Sequence, residues 1–484
     1  MSWFRETAPY EFSLSAAFLL ALCGSAVACG SDSASGSGGT AGGPSGASGA
    51  GTSPVGVSGA AGASAQGGAS PIAGNGGMSL GGQAQAGSAT AGGPTGGAGG
   101  GSGAGGGGGM PNKPDVAFCS KALDSAALQY AGFRAAYTNA ASVPRSAKGG
   151  TVSNVGIGDW TFGFVGGNYW YLYEYTKDEA FRAAAEATTA ALEPQKNVKT
   201  SHDLGFEFMS TYGNGYRLAK TASYLGVMKT AAASLATRFR EPVGAIQSWD
   251  RAEYDCPVII DNMMNLHLLY FIGQNGGDAS LADIATSHAQ TTIKNHFRAD
   301  NSSYHLVNYN SATGAIIAKK TVQGLADDSA WARGQSWGLY GYTESFVASN
   351  KPEFLAQAQK IAAFLMTHKN MPTDKVPYWD YDAPDTQGAP TPRDASAAAV
   401  MASGLLQLSG LVAEPDGTKY RDYALDILRS LSSPAYAAAL GQNSHFLLMH
   451  STGHLPANTE IDAAINYADY YYLEALLRCR ALGN

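Results

Sequence analysis

Asp261 stands inside the run CPVIIDNMMNLHLLYF (256–271), with Val-Ile-Ile before it and Met-Met, Leu-Leu and Tyr-Phe after it. A carboxylate that leaves water without a partner is strongly destabilised, so an acid in such surroundings needs a reason. One chemical reason is a raised pKa. Burial disfavours the ion and leaves a neutral acid able to deliver a proton near neutral pH. A second carboxylate, Asp203, lies in HDLGFEFMSTYGNGYR (202–217). Two carboxyl groups with different proton affinities suit general acid–base chemistry. Each residue also has a structural reading: Asp261 as a helix N-cap, and His202-Asp203 as a cap or a satisfied core pair.

Two more segments bring aromatic and polar residues together, DWTFGFVGGNYWYLYE (159–174) and VQGLADDSAWARGQSWGLYGY (322–342). On a helix through the latter, Arg333 and Trp337 are four apart and share a face. Gly334, Gly338 and Gly341 share another, which suggests close backbone approach, and Asp328 or Ser329 could cap its start. A helix starting near Ile260 puts Asp261, Asn265 and Leu268 on one stripe. Trp160, Trp331 and Trp337 taken singly are core aromatics, and Gln323 and His305 are polar strand or loop residues.

The elements that must position these groups are mainly helices. Helical patterns cover 116–136, 160–176, 178–192, 213–226, 228–240, 260–274, 279–297, 329–349, 352–367, 394–412, 417–432 and 460–480. Breaks such as Asn-Gly-Gly-Asp (275–278) and Glu-Pro-Asp-Gly (414–417) separate them. The exception is 303–310 with 315–320, whose alternation about Ser-Ala-Thr-Gly reads as a β-hairpin, placed at a rim. Long helices and short turns predict an all-α fold, an α/α toroid whose inner helices surround a central pit.

The first quarter of the 484-residue chain is different. Residues 1–28 read as a secretory signal, with an apolar stretch at 12–28. The following AVACG (26–30) resembles a bacterial lipobox, which makes Cys29 a candidate lipidation site. Residues 29–113 carry no charge between Asp32 and Lys113 and hold more than half of the 62 glycines, the composition of a tether. Residues 114–484 form the folded domain, with no second linker inside it. These features predict an exported, lipid-anchored envelope protein that meets the membrane only through that lipid. A net charge of −7 and pI near 5.7 argue against nucleic acid as a partner. No Cys/His spacing resembles a zinc site, and Cys119 and Cys479 could form a disulfide joining the domain's ends.

Six segments appear in one order: HDLGF (202–206), IIDNMMNLHLLYF (259–271), SSYHLVNYN (302–310), TVQGLADDSAWARGQSWGLYGYTES (321–345), PRDASAAAVMASGLLQL (392–408) and HSTGHLPANTEIDAAINYADYYYLEALLR (450–478). In this order they resemble the unsaturated glucuronyl hydrolases of glycoside hydrolase family 88, and the likeness runs from about Trp160 to Arg478. The resemblance implies an incomplete (α/α)6 toroid of six helical hairpins. It implies cleavage of the Δ4,5-unsaturated uronate at the non-reducing end of oligosaccharides left by polysaccharide lyases. By the family's motifs Asp261 is the general acid and base and Asp203 the second catalytic carboxylate. Trp160, His305, Gln323, Arg333 and Trp337 match positions lining the sugar site.

The implied reaction is hydration of a vinyl ether and calls for no metal or organic cofactor. In this reading the apolar run around Asp261 tunes its pKa. The segment 443–458 carries three histidines but no Lys or Arg, which points to unsulfated or lightly sulfated substrates. Two other readings stay open on the residues alone: an inverting glycosidase with the same two carboxylates, and a non-catalytic surface lipoprotein that binds carbohydrate.

Overall fold

The computed structural model describes residues 114–383 and 390–483, so the expected signal, tether and Cys29 lie outside the described residues. The helices are α1 (Ala117–Ala136), α2 (Phe162–Thr176), α3 (Glu179–Ala191), α4 (Leu204–Phe208), α5 (Asn214–Ala219), α6 (Ala222–Ala236) and α7 (Asn262–Gln274). They continue with α8 (Ser280–His296), α9 (Ala332–Ser349), α10 (Pro352–Thr367), α11 (Ala395–Ser409), α12 (Asp416–Leu431) and α13 (Asn466–Ala481). The strands are β1 (Ser142–Lys148), β2 (Thr151–Gly156), β3 (Phe239–Arg240), β4 (Ala245–Ile246) and β5 (Cys256–Ile259). After them come β6 (Leu306–Tyr309), β7 (Ile316–Lys320), β8 (Ser451–His454) and β9 (Thr459–Ile465). The described fold is mostly helical with a few small sheets.

Helices α2, α4, α7, α9, α11 and α13 each pack on the next, and α13 returns to α2. A second set lies against them: α3 on α2, α8 on α7, α10 on α9, α12 on α11 and α1 on α13. The sequence explains the division. On α11 the run from Ala395 to Leu406 is buried without a break, as its Ala, Ser and Gly content allows. On α12 burial follows a stripe through Tyr420, Ala424, Leu428 and Leu431, while its charged residues face outward. A Cys119–Cys479 disulfide joins α1 to α13, closing the two ends of the domain.

Several expected boundaries move. The helix expected over 213–226 is instead divided between α5 and the start of α6, and a π-helical turn at Met209–Gly213 joins α4 to α5. In and beside that turn Ser210 Oγ donates to the Phe206 carbonyl and Thr211 Oγ1 to that of Glu207. Such side-chain bonds loosen the regular backbone ladder. The chain breaks at Lys220, in the left-handed region at φ 53°, and α6 runs straight through the break expected at 227. Helix α13 starts at Asn466 rather than 460, because residues 459–465 are β9, paired with β1 and β8 in a sheet of order β2-β1-β9-β8. Neither Asp328 nor Ser329 caps α9, which begins at Ala332 after Trp331.

The expected hairpin forms as β6 and β7, and β5 adds to it as a third strand. This explains the apolar half of the Asp261 run: Cys256 to Ile259 are strand residues paired with Tyr309 to Leu306. The Ile260 N–H then donates to the His305 carbonyl at 2.9 Å, carrying the ladder to the residue before Asp261. Across from it, Gly205 of α4 meets the backbone of α7. A Cβ at Gly205 would stand 2.3 Å from Asn265 Cα. The Phe206 N–H donates to Asn265 Oδ1 at 2.8 Å, locking the contact.

Gly205→Ala is expected to force α4 off α7 and lower stability by about 1–3 kcal/mol, the range for overpacking a tight contact. Gly226→Ala, exposed within α6 with nothing near its Cβ, is expected to raise stability by about 0.5–1 kcal/mol. Urea denaturation of the two variants beside the parent checks both signs; a Gly205 variant as stable as the parent would remove the tight contact.

Candidate active site

Strand β5 ends where α7 begins, and Asp261 occupies that junction. It holds the N-cap position, yet its side chain makes no cap hydrogen bond, which removes the structural alternative. The carboxyl instead faces a cavity of about 220 Å³ lined by Trp160, Asp203, Phe206, Trp249, Ile259, Gln323, Arg333 and Tyr467 among others. Asp261 is 8% exposed. Burial pushes its pKa up to about 7, the Asp203 charge adds to the rise, and Arg333 and the Trp337 indole pull against it.

Asp203 lies at the start of α4 and, like Asp261, spends no side-chain bond on capping. Ser201 Oγ donates to its Oδ2 at 2.7 Å, and His202 Nε2 stands 3.4 Å from Oδ1. His202 itself is buried, so burial lowers its pKa and keeps the ring neutral. One oxygen of Asp203 is therefore steered by the chain while the residue still lines the cavity.

His305 stands behind Asp261, with its ring between Trp249 and Trp331. Its Nδ1 accepts from the backbone N–H of Val322 at 2.9 Å and of Gln323 at 3.3 Å. The ring proton is thus assigned to Nε2, which faces Asp261 Oδ2 at 3.8 Å. Burial, helped by His454 and Arg333, pushes His305 down to about 3, so a neutral N–H dipole confronts the acid across the working pH range.

Arg333 is buried and largely committed. Its Nη1 donates to Asp394 Oδ2 at 2.8 Å and to the Thr452 carbonyl at 2.6 Å, and Nη2 donates to the Gly453 carbonyl at 2.6 Å. The guanidinium lies over Trp331 and Tyr467, 4.6 and 5.4 Å from the ring centroids. Trp337 is fully buried behind the cavity, edge-on to Phe206 and Tyr471. Trp160 stacks on Tyr467 with ring centroids 5.2 Å apart.

Of the residues chosen from sequence, Trp160, Asp203, Asp261, Gln323 and Arg333 line the cavity, while His305 and Trp337 support its wall. Among the described residues, Asp261 Oδ2, His305 Nε2, Trp337 Nε1 and Arg333 Nε are buried polar atoms without hydrogen-bond partners. Unsatisfied groups of this kind are rare in a folded interior and fit a site that receives a polar molecule. No group of three or more His, Cys, Asp or Glu side chains among the described residues could hold a metal ion.

Sequence reasoning missed Arg145, Trp249, Arg251, His454, Thr459 and Tyr467, which also line the cavity. Arg145 makes paired bonds to Glu460 and to Asp159, the residue before Trp160. Trp249 and Arg251 carried a usable signal: an aromatic and a cation two residues apart, close before the Asp261 strand.

The chain is 43% identical over 323 residues to an unsaturated glucuronyl hydrolase of Formosa agariphila, covering 66% of this chain and 80% of that protein. It is 33% identical over 329 residues to an unsaturated glucuronyl hydrolase of Bacillus sp. (strain GL1), covering 66% and 86%. The chain belongs to the unsaturated glucuronyl hydrolases. A crystal structure of a family member described as specific for heparin matches with a TM-score of 0.73 at 46% identity, over 76% of this chain and 98% of that one. No protein-family model matches the chain.

The raised acid of this unsaturated glucuronyl hydrolase has a measurable effect on folding. An unfolded aspartate titrates near pH 4 and Asp261 in the fold near 7. Between those values the native state holds the extra proton, so the contribution is full below about pH 4 and is lost as pH rises to about 7. Asp261→Asn removes that dependence. The variant is expected to gain roughly 2–4 kcal/mol on the parent between pH 4 and pH 8. Denaturant titrations at the two pH values measure it; a constant difference would mean the carboxyl titrates as an exposed one.

Proposed function

We propose that Asp261 carries the proton of this enzyme's reaction, with Asp203 as the second catalytic carboxylate. The protein is a glycoside hydrolase that cleaves the Δ4,5-unsaturated uronate from the non-reducing end of lyase-generated oligosaccharides. Its substrate is a vinyl ether. In the proposed path neutral Asp261 gives its proton to C4, and positive character develops at C5 and the ring oxygen. The Asp261 carboxylate then takes a proton from an incoming water as the water oxygen bonds to C5. The hemiketal so formed opens to a C5 ketone, the hemiacetal this leaves at C1 collapses to an aldehyde and frees the partner sugar, and Asp261 is again neutral.

The observation that carries this reading is a carboxyl whose pKa burial raises to about 7, inside a sugar-sized cavity that also contains Asp203. Asp203 raises the proton affinity of Asp261 and can accept hydrogen bonds from sugar hydroxyls. His305 can direct its Nε2–H toward the Asp261 carboxylate as that charge forms. The unpartnered Arg333 Nε, with Gln323, offers donors to the uronate carboxylate, and Trp160 offers an apolar edge to the ring. Trp337 supports the acid from behind.

The closed succession of packed helices favours an (α/α)6 toroid of six hairpins, with the β6–β7 hairpin at its rim. We also propose that residues 1–28 direct export, that Cys29 is lipidated, and that residues 29–113 tether the domain to the envelope. The apolar 12–28 stretch and the lipobox-like AVACG support this.

Turnover is expected to remove the ultraviolet absorbance of an unsaturated uronate disaccharide, whereas an inverting glycosidase would leave it intact. Asp261→Asn is expected to lower kcat by about 10²–10⁴-fold with the fold kept. Because the acid must be protonated, parent kcat/KM should fall by about tenfold per pH step above 7. Substantial turnover by the Asn variant would remove Asp261 from the role. Cys29→Ser is expected to move the protein from the membrane fraction to the soluble fraction in detergent-free fractionation.

A further inference from the structure

Three arginines line the cavity, and their states differ. Arg145 is neutralised by Glu460 and Asp159. Arg333 is buried and bonded to Asp394, Thr452 and Gly453. Arg251 is exposed, and no acid among the described residues lies within ion-pair distance of it. Of the acids near it in sequence, Asp250 pairs with Arg238 at 3.0 Å, Asp255 accepts from Ser311, and the exposed Glu253 forms no ion pair with it. In a chain of net charge −7, a cation left unneutralised in the active-site wall is available to a ligand.

Its setting is ordered. The Arg251 guanidinium lies 4.4 Å over the Trp249 ring. Stacking uses the flat face of the group and leaves its N–H donors free along the edge, the arrangement that meets a planar or tetrahedral oxyanion. Trp249 is held in turn. Its backbone bridges Ser201, the residue that steers Asp203, and its carbonyl accepts from Gln247 Nε2 at 2.9 Å. Its ring meets His202 and His305 edge-on.

We propose that Arg251 on its Trp249 platform is the subsite for an anionic substituent, a sulfate ester or a carboxylate, on the sugar that leaves. Depth decides which sugar. The uronate must bring C4 to buried Asp261, so its own carboxylate falls to the buried donors, and the exposed Arg251 meets the next ring outward. This assignment rests on the function proposed above. It also moves anion recognition away from the cation-free 443–458 segment, from which unsulfated substrates were expected, to the loop before β5.

The test compares three lyase-generated disaccharides that share the unsaturated uronate. One carries a neutral leaving sugar, one a sulfated leaving sugar, and one a leaving sugar with a carboxylate. Parent, Arg251→Gln and Arg251→Lys are assayed by absorbance loss at low and high salt. Arg251→Gln is expected to cut the kcat/KM ratio of anionic to neutral substrate by about five- to tenfold, chiefly through KM. The Lys variant should restore part of it, and the effect should shrink at high salt. A loss confined to the sulfated or to the carboxylated substrate assigns the anion. Unchanged ratios for both anionic substrates would overturn the subsite while the hydrolase reading stands. A parent protein that turns over none of the three would overturn both.

Discussion

The contact between Gly205 and Asn265 sets the geometry on which the site depends. Asp203 comes from the start of α4 and Asp261 from the start of α7, and side chains of two helices share one small cavity only if their axes run close. A glycine two residues after Asp203 removes the atom that would keep the helices apart. Asn265, four residues after Asp261, uses its side-chain oxygen to hold the Phe206 N–H. One contact thus sets the mutual position of both carboxylates. Asp261 is buried, and burial raises its pKa.

Around this pair the fold uses its buried charges as ties. Asp394 accepts from Arg333 and, through its other oxygen, from the backbone N–H groups that open α11. Arg333 also binds the carbonyls of β8. A single ion pair therefore fixes α9, α11 and the 451–454 strand relative to one another. A buried pair gives little net stability against a well-packed apolar substitute, but it specifies an arrangement. Here the arrangement is a wall of the cavity. The Arg145 bridge to Asp159 and Glu460 acts similarly on the turn bearing Trp160.

The sequence made most helices legible, because apolar stripes and turn residues mark them locally. The oddity of Asp261 was legible too, since a carboxylate in an apolar run conflicts with its surroundings at the level of composition. What failed were features fixed by distant partners. Strand β9 exists because β1 and β8 pair with it, and its Glu460 and Asp462 sit at positive φ, outside any regular pattern. The break at Lys220 needs no Gly or Pro, while Gly226, which looks like a stop, lies inside α6. Arg251 was missed because an arginine on a loop reads as a solvated charge unless the Trp249 two residues before it is taken with it.

The value near 7 for Asp261 follows from a balance rather than from burial alone. Burial and Asp203 both favour the neutral acid; Arg333 and Trp337 favour the anion. Were burial unopposed, the acid would hold its proton more tightly than the proposed transfer to carbon allows. Were Arg333 free to pair with it fully, the group would be ionised at neutral pH and have nothing to give. Arg333 avoids that outcome because Asp394 and two carbonyls already take its strongest donors. Its charge reaches Asp261 through space while most of its hydrogen bonds go elsewhere. In the proposed reaction the donor to carbon must also become a base within the same turnover, and an intermediate affinity would serve both halves.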